Sequence, residues 1–277
     1  MISVRLDKVS FSYPSQPILE EASCEIQKGC YGVIGLNGSG KTTLLKLIQG
    51  DLEPDDGFLV RDKRLSMAYM AQEVILNPED IAFDAVRQGA VRILALKDKL
   101  TSLEDRFADP AYYTNEKKLA RLIDQQEQVL TAFNQLGGPG LDGRVRNLLK
   151  IIGFNEHEMF LPVKHLSGGQ KKLLGLVRIL ISQPDILLLD EPDNHLDLNG
   201  KEMLEELIQG FDGSVIIVSH DRYFLDLVVD EILEVEDGHI AQFVGNYSEY
   251  MFEKRLWLER QAERYQAQQK EISRLEQ

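Results

Sequence analysis

The nine residues from Gly35 to Thr43 constrain the fold and chemistry of this chain more than any other stretch. They read GLNGSGKTT, which fits the pattern G-x-x-x-x-G-K-[ST] of a phosphate-binding loop. Glycines there let backbone N–H groups close around phosphate oxygens, the lysine reaches the terminal phosphates, and the following hydroxyl can bind Mg²⁺. The residues expected to hold the phosphates are Gly35, Asn37, Gly38, Ser39, Gly40, Lys41, Thr42 and Thr43.

The residues flanking this loop predict a strand before it and a helix after it. Tyr31 to Ile34 form a short run with the length of a buried strand. Apolar residues follow the loop at helical spacing, at Leu44, Leu45, Leu47 and Ile48. A strand, a glycine-rich loop and a helix in this order place bound phosphate at a helix N-terminus, which is typical of an α/β protein.

Two apolar runs further along the chain end in polar residues. Ile186 to Leu189 is followed at once by Asp190 and Glu191. Val215 to Val218 leads into a serine and then His220. Continuous apolar runs are typical of parallel strands buried on both faces, and ligands bind outside the carboxyl ends of such strands. Asp190, Glu191 and His220 are therefore expected near the phosphate-binding loop.

A further string, LSGGQ from Leu166 to Gln170, completes a set that resembles the ATP-binding cassette (ABC) superfamily over nearly the whole chain. The resemblance implies ATP and Mg²⁺ as ligands. It implies that Thr42 and Asp190 bind Mg²⁺ and that Glu191 is the base that polarises the attacking water. It also implies that His220 is the switch histidine facing the γ-phosphate, although a lone histidine is more often structural.

Three more assignments depend on weaker local signals. Tyr13 in FSYP resembles the aromatic residue that stacks on adenine, but a tyrosine beside proline is equally consistent with packing. Gln72 in MAQE matches the Q-loop residue that contacts Mg²⁺ and water. Asp197 in HLD matches the D-loop acid, whose usual place is the interface between two cassettes.

The LSGGQ string constrains the mechanism because it acts on a nucleotide held elsewhere. In the family, amides of this loop contact the γ-phosphate bound by a second cassette, and a helix predicted from Gln170 onward adds its dipole. The residues involved are Ser167, Gly168, Gly169 and Gln170. The chain has one copy of each motif, so the resemblance implies half of each of two sites. A homodimer or a second cassette would complete them, and the chain alone is expected to hydrolyse ATP poorly.

Two strings indicate the branch of the superfamily. EPDNHLD at Glu191 to Asp197 and SHDRYFLD at Ser219 to Asp226 resemble the ABC-F class. Its members carry two cassettes on one chain, have no membrane domain and act mostly on ribosomes. The usual ABC-F string has threonine where this chain has Asp193. The extra acid either alters nucleotide affinity or faces solvent.

The resemblance leaves two classes of function open. One is an ABC-F protein acting on the ribosome, as a translation factor or by protecting the ribosome from antibiotics; a role in DNA repair also stays open. The other is the ATP-binding subunit of a membrane transporter, docked on a permease. An ABC-F protein would have a second cassette and the ribosome or RNA as partners, and it would be cytoplasmic. A transporter subunit would instead have a membrane permease as its partner.

The stretch between Gln72 and Leu166 is longer than the helical subdomain of a transporter cassette generally needs. Its apolar residues recur at helical spacing between Phe83 and Leu103 and again between Leu119 and Leu136. The pattern predicts a helical hairpin, closed by a glycine-rich turn at residues 137–140. It matches the arm that ABC-F proteins insert here, or an enlarged structural hairpin.

The expected domains are an ABC ATP-binding domain at 1–245, with its helical subdomain and arm at 77–163, and the start of an interdomain linker at 246–277. The residues after Gly245 predict a long, highly charged helix. ABC-F proteins continue from here into a second cassette; a natural half-molecule is the alternative.

The predicted fold is α/β, with a P-loop core sheet, an antiparallel β subdomain and the helical subdomain. The antiparallel part is expected from a strand near Ser3 to Ser10 and the segment Gly57 to Met70. A hairpin is predicted over Ile232 to Val244, turning at Asp237 and Gly238, a favoured turn pair.

The net charge of −14 argues against a broadly basic RNA-binding surface. Contact with RNA is therefore expected through local clusters, such as Arg87, Arg92, Lys97 and Lys99, predicted on the first arm helix. Cys24 and Cys30 have no companion ligands in sequence, which favours free thiols over a metal site.

Overall fold

The computed structural model describes residues 4–14, 16–62 and 64–275. The chain divides into two compact units. The core unit comprises the residues up to Gln72, Asp185–Asn194 and the residues from Ile208 onward. The helical unit comprises Glu73–Pro184 and His195–Leu207.

The strands lie in the core unit and form two sheets. In chain order they are β1 (Val4–Tyr13), β2 (Gln16–Ile26), β3 (Cys30–Ile34), β4 (Asp56–Arg61), β5 (Met67–Met70), β6 (Ile186–Asp190), β7 (Ser214–Val218), β8 (Glu231–Glu236) and β9 (His239–Val244). The smaller sheet has the order β2-β1-β4 and is antiparallel. The larger has the order β5-β6-β7-β3-β8-β9 and is parallel except for β9.

The helices are α1 (Lys41–Gln49), α2 (Ala82–Arg87), α3 (Val91–Phe107), α4 (Pro110–Tyr113), α5 (Glu116–Gln135), α6 (Leu141–Ile151), α7 (Gly168–Leu180), α8 (Leu198–Gln209), α9 (Arg222–Val228) and α10 (Tyr247–Leu275). Among the residues that the structure describes, no helix combines the length and apolar character needed to cross a membrane.

Burial explains the parallel sheet. Every residue of β6 and β7 is buried, as the continuous apolar runs predicted. The hairpin of β8 and β9 forms as predicted, because Asp237 and Gly238 take φ values of 48° and 79°. Positive φ at both central residues is the requirement of the tight turn that joins two antiparallel strands. The α/β fold is confirmed.

The predicted antiparallel segment Gly57 to Met70 is partly wrong. Its first part is β4, which pairs with β1, but Met67–Met70 pairs in parallel with Ile186–Leu189 in the larger sheet. The strand Met67–Met70 is only four residues long and has no clear alternation of apolar and polar residues, so its sequence does not indicate which sheet it joins. β2 was not predicted, and Ser3 lies outside the described residues.

The predicted helical hairpin exists, and its core is a small cluster between α3 and α5. Leu103, Leu122 and Val129 are buried there, and partly buried Leu96, Leu100, Phe107 and Tyr112 pack against them. The first predicted helical stretch is broken at Gly89, where a Cβ would lie 1.9 Å from the carbonyl oxygen of Arg178. Arg87 therefore belongs to α2 and not, as predicted, to the first arm helix.

The predicted long helix is α10, and its first turns are tied to β8. The Tyr250 hydroxyl donates to Glu234 Oε1 at 2.6 Å. Lys254 Nζ donates to Glu234 Oε2 and to Glu236 Oε2, each at 2.8 Å. Glu234 and Tyr250 are buried, so the base of this helix is fixed to the core sheet. Residues 276 and 277 of the expected linker lie outside the described residues.

Candidate functional site

The loop between β3 and α1 has the geometry that its glycines predict. Gly38 and Gly40 take φ values of 81° and 106°, in the region that favours glycine. A Cβ on Gly35 would lie 2.3 Å from the carbonyl oxygen of Val235, so the loop packs directly on β8. The helix begins at Lys41, and its N-terminus opens onto the loop.

Lys41 is held under the loop rather than exposed to solvent. Its Nζ donates to the carbonyl oxygens of Gly35 at 3.0 Å and Leu36 at 2.9 Å, and the residue is 7% exposed. Burial lowers the pKa of Lys41, an effect opposed by the neighbouring carboxylates of Glu191 and Asp190. Lys41 therefore presents a cation, flanked by two acids, at the base of the loop.

Asp190 accepts two hydrogen bonds on one oxygen. Thr42 Oγ1 donates to Asp190 Oδ2 at 2.8 Å, and the Tyr69 hydroxyl donates to the same atom at 3.2 Å. The carboxylate is almost fully buried at the end of β6. Burial, reinforced by Asp190, raises the pKa of Tyr69, which keeps the phenol protonated as a donor. Sequence reasoning missed Tyr69, because its only signal was its place in a short apolar run before Gln72.

Glu191 lies at the centre of a second group of polar contacts. Its Oε2 accepts hydrogen bonds from Gln72 Nε2 at 2.7 Å and from Asn194 Nδ2. Its Oε1 lies 3.5 Å from His220 Nε2. Glu191 has φ of 50°, and its N–H donates to the carbonyl oxygen of Val218 at 2.8 Å. Gln72, Glu191 and His220, predicted from separate strings, are therefore brought together, and Asn194 joins them.

A cavity of about 680 Å³ in the core unit connects the two groups. Its lining includes Tyr13, Gly38, Gly40, Lys41, Thr42, Thr43, Gln72, Glu191 and His220. A slightly larger cavity, of about 690 Å³, is lined by loop residues 35–39 but not by Lys41, Thr42 or Glu191. The smaller cavity is therefore the candidate site, because the charged and hydroxyl groups meet there.

Tyr13 lies at the rim of this cavity. Its side chain is 42% exposed, and its ring meets that of Phe11 edge to face with centroids 5.1 Å apart. Tyr13 thus packs on one side and leaves much of the ring open, so both alternatives from the sequence remain compatible with its position.

The donor set at Thr42 and Asp190 fits Mg²⁺. Magnesium prefers oxygen ligands and is usually held by one or two carboxylates together with substrate phosphates. The Thr42 hydroxyl and Asp190 carboxylate supply such oxygens 2.8 Å apart. Among the described residues no group of three His, Cys, Asp or Glu could hold a metal by itself. A magnesium ion here would therefore need the hydroxyl and further oxygens.

The LSGGQ residues lie in the helical unit and cap their own helix. Ser167 Oγ accepts from the Gln170 N–H at 3.2 Å, and Gln170 Oε1 accepts from the Ser167 N–H at 3.0 Å. This capping box starts α7 at Gly168, so the helix start predicted at Gln170 is wrong. Ser167 and Gly168 are exposed, whereas Gly169 is half-buried.

The two remaining acids of the EPDNHLD string are placed differently. Asp197 Oδ1 accepts from the Gly200 N–H at 2.8 Å, so it caps α8, while the residue itself is exposed. Asp193 is 5% exposed, which excludes one of the two alternatives left open by the sequence, that it faces solvent. Its Oδ1 has no hydrogen-bond partner among the described residues.

Residues 19–194 match the family described as ABC transporter, and residues 233–277 match a second family with the same description. The chain belongs to the ABC transporter family. The family match and the α/β fold together make the chain an ABC ATP-binding domain. The first match covers the phosphate-binding loop and β6, the strand that ends in Asp190.

Curated relatives are about one third identical to this ABC chain. It is 33% identical to the putative ATP-binding protein YdiF of Bacillus subtilis, with 100% of this chain and 42% of that protein aligned. It is 32% identical to ABC transporter F family member 5 of Arabidopsis thaliana, with 97% and 39% aligned. It is 32% identical to the energy-dependent translational throttle protein EttA of Haemophilus influenzae, with 94% and 46% aligned. The chain thus spans less than half the length of each.

Solved structures share the fold. One described as the ATP-binding subunit of an ABC transporter aligns with a TM-score of 0.65 at 19% identity, covering 88% of this chain and 90% of that one. Another, cbiO1 of Clostridium perfringens, described as part of the ABC transporter complex cbiONQ, aligns with a TM-score of 0.62 at 22% identity, covering 92% of both chains.

Proposed function

We propose that this chain binds Mg·ATP in the 680 Å³ cavity of the core unit and hydrolyses the γ-phosphate bond. The observation that carries the proposal is the contact of Thr42 with Asp190 beside the hydrogen-bonded carboxylate of Glu191. A cation, an oxygen pair suited to magnesium and a positioned carboxylate are the parts that phosphoryl transfer requires.

Each site residue has a separate role in this proposal. The N–H groups of the loop and Lys41 bind the phosphates, and the exposed part of the Tyr13 ring stacks on adenine. Thr42, Asp190 and Gln72 would hold Mg²⁺, which would supply positive charge to neutralise the phosphates. Glu191 accepts a proton from the attacking water, and His220 faces the γ-phosphate.

We further propose that hydrolysis needs a second cassette. Ser167 and Gly168 are exposed at the N-terminus of α7, where N–H groups and the helix dipole favour an anion. With Gly169 and Gln170 they would contact ATP bound by that second cassette, and exposed Asp197 would lie at the shared interface. The chain has one phosphate-binding loop and one LSGGQ string, which supports a site shared between two cassettes.

The finer proposal is an ABC-F protein that acts on the ribosome in the cytoplasm. It is supported by relatives named as an F family member and as a translational throttle protein. It is also supported by the helical hairpin of α3 and α5, which exposes Arg92, Lys97 and Lys99. Arg87 contributes less, because its Nε pairs with Asp142 at 3.1 Å.

The test is co-sedimentation of the full gene product, carrying Glu191→Gln, with ribosomes in the presence and absence of ATP. We expect ATP-dependent binding that is weakened when Arg92, Lys97 and Lys99 are changed to Glu.

A matched control reverses three exposed cations of the core unit, Arg5, Lys28 and Arg64. Equal loss in both triple variants would indicate net charge rather than an arm contact. Absence of ribosome binding together with recovery of a membrane permease would contradict the ABC-F proposal and support the transporter alternative.

A further inference from the structure

Asn194 contacts the same carboxylate oxygen as the Q-loop residue Gln72. Both amide nitrogens donate to Glu191 Oε2, Gln72 at 2.7 Å and Asn194 at 2.5 Å. The two donors come from different parts of the core unit: Gln72 follows β5, whereas Asn194 is on the turn that follows β6. Glu191 Oε2 is therefore held from two sides.

The turn itself fixes where the Asn194 amide lies. The Asn194 N–H points to the carbonyl oxygen of Glu191 at 3.4 Å. Glu191 has φ of 50°, an uncommon conformation for a residue with a Cβ. Its N–H is engaged by Val218 O on β7. Because backbone and side chain of this turn are both constrained, the Asn194 donor is preorganised toward one oxygen of Glu191.

The other carboxylate oxygen has different surroundings. Glu191 Oε1 lies 3.5 Å from His220 Nε2, and both residues line the cavity proposed for ATP. Oε2 thus accepts from two amide donors, whereas Oε1 is the oxygen beside His220. Holding a reacting group in one orientation contributes to the rate because the entropy of orientation is lost before the reaction.

We propose that Asn194 is a positioning residue that fixes the Glu191 carboxylate so that Oε1 is the oxygen that accepts the proton. The proposal rests on the proposed role of Glu191 as base. In that step a water O–H bond breaks and its proton goes to Oε1. The water oxygen bonds to the γ-phosphorus, and the bond from phosphorus to the leaving ADP oxygen breaks with its electron pair.

The experiment compares single-turnover ATP hydrolysis in four proteins: the unmodified chain, Asn194→Ala, Glu191→Gln and the double variant. Chain is in excess over Mg·ATP and at a concentration where the unmodified chain turns over ATP measurably, so that two chains complete the shared site. Mg·ATP dissociation constants are measured for all four. We expect Asn194→Ala to lower the hydrolysis rate about 10- to 100-fold, with the dissociation constant unchanged within about twofold. In the Glu191→Gln background the same substitution should have no further effect, because Asn194 acts through Glu191.

Two more variants separate positioning from a structural role. Asn194→Ser retains a donor of hydrogen bonds and should recover part of the rate, whereas Asn194→Leu, similar in size but without a donor, should not. If Asn194→Ala does not fold, the serine and leucine pair replaces it. Asn155→Ala is the matched control, since this amide caps a turn in the helical unit, and it should leave the rate unchanged.

The outcomes distinguish the two levels of the proposal. The role of Asn194 is overturned, with Glu191 still the base, by either of two results. One is an equal loss of hydrolysis rate from Asn194→Ala in the unmodified and Glu191→Gln backgrounds; the other is equal rates for Asn194→Ser and Asn194→Leu. Equal rates for the unmodified chain and Glu191→Gln overturn the role of Glu191 and with it that of Asn194.

Discussion

Lys254 makes two contacts of equal length whose energetic weights should differ. Its Nζ lies 2.8 Å from carboxylate oxygens of both Glu234 and Glu236. The Glu234 side chain is 11% exposed, whereas that of Glu236 is 56% exposed. Because water screens exposed ion pairs, burial rather than distance should decide what each contact contributes to the stability of the core unit.

Glu234→Gln removes the charge while keeping an oxygen that can accept from Tyr250. A hydrogen bond to a charged group contributes about 1.5 to 3 kcal/mol, so we expect a loss of about 2 kcal/mol. Glu236→Gln, the matched control, should cost about 0 to 1 kcal/mol, the usual value of an exposed pair. At about 2 to 4 °C per kcal/mol, Glu234→Gln lowers the unfolding midpoint by about 4 to 8 °C.

The pH dependence has a definite sign. Burial alone would lower the pKa of Lys254, but its hydrogen bonds to Glu234 and Glu236 outweigh this and raise it above the ordinary 10.5. A raised pKa in the folded state contributes stability below the pKa of the unfolded chain, and the contribution is lost as pH rises through the folded value. The difference between the unmodified chain and Glu234→Gln should therefore shrink above about pH 10.5.

Thermal and urea unfolding followed by circular dichroism, at pH 7.5 and pH 11, measure these differences. Equal shifts for Glu234→Gln and Glu236→Gln at neutral pH would contradict this prediction, because the two ion pairs would then contribute equally to stability despite their different burial.

Three further predictions concern the loop, the thiols and association. Gly35→Ala should weaken Mg·ATP binding about tenfold or more, measured by calorimetry, because its Cβ would lie 2.3 Å from Val235 O; affinity equal to the unmodified chain would contradict the loop geometry. Burial raises the pKa of Cys24 to about 12 and raises that of Cys30, so both should resist a thiol reagent at pH 8 until denaturant is added. ATP turnover per chain should rise with protein concentration; a constant rate from a strict monomer, checked by sedimentation, would contradict a shared site.

The sequence predicted those parts of the molecule whose spacing fixes their geometry. GLNGSGKTT placed a strand, a loop and a helix correctly because its glycines can take the positive φ that the loop requires. Asp237 and Gly238 placed a hairpin because both can take positive φ. Both patterns depend only on neighbouring residues, so the structures that they predict do not depend on the rest of the fold.

Features that depend on distant pairing were missed. Met67–Met70 joins the larger sheet only because β6 lies beside it, and Tyr69 reaches Asp190 only through that pairing. Arg87 fell on a separate helix because Gly89 packs against Arg178. The string EPDNHLD left open whether Asp193 faces solvent, and its burial is known only from the structure.

We propose that Lys41, Thr42 and Asp190 hold Mg·ATP and that Glu191 assists the reaction of its γ-phosphate. The most direct measurement titrates Mg·ATP into the unmodified chain and Glu191→Gln and follows phosphate release from both. Glu191→Gln should bind with a dissociation constant within about threefold of the unmodified chain and release phosphate about 100-fold or more slowly. Equal phosphate release from the two proteins, or no binding by either, would contradict the account.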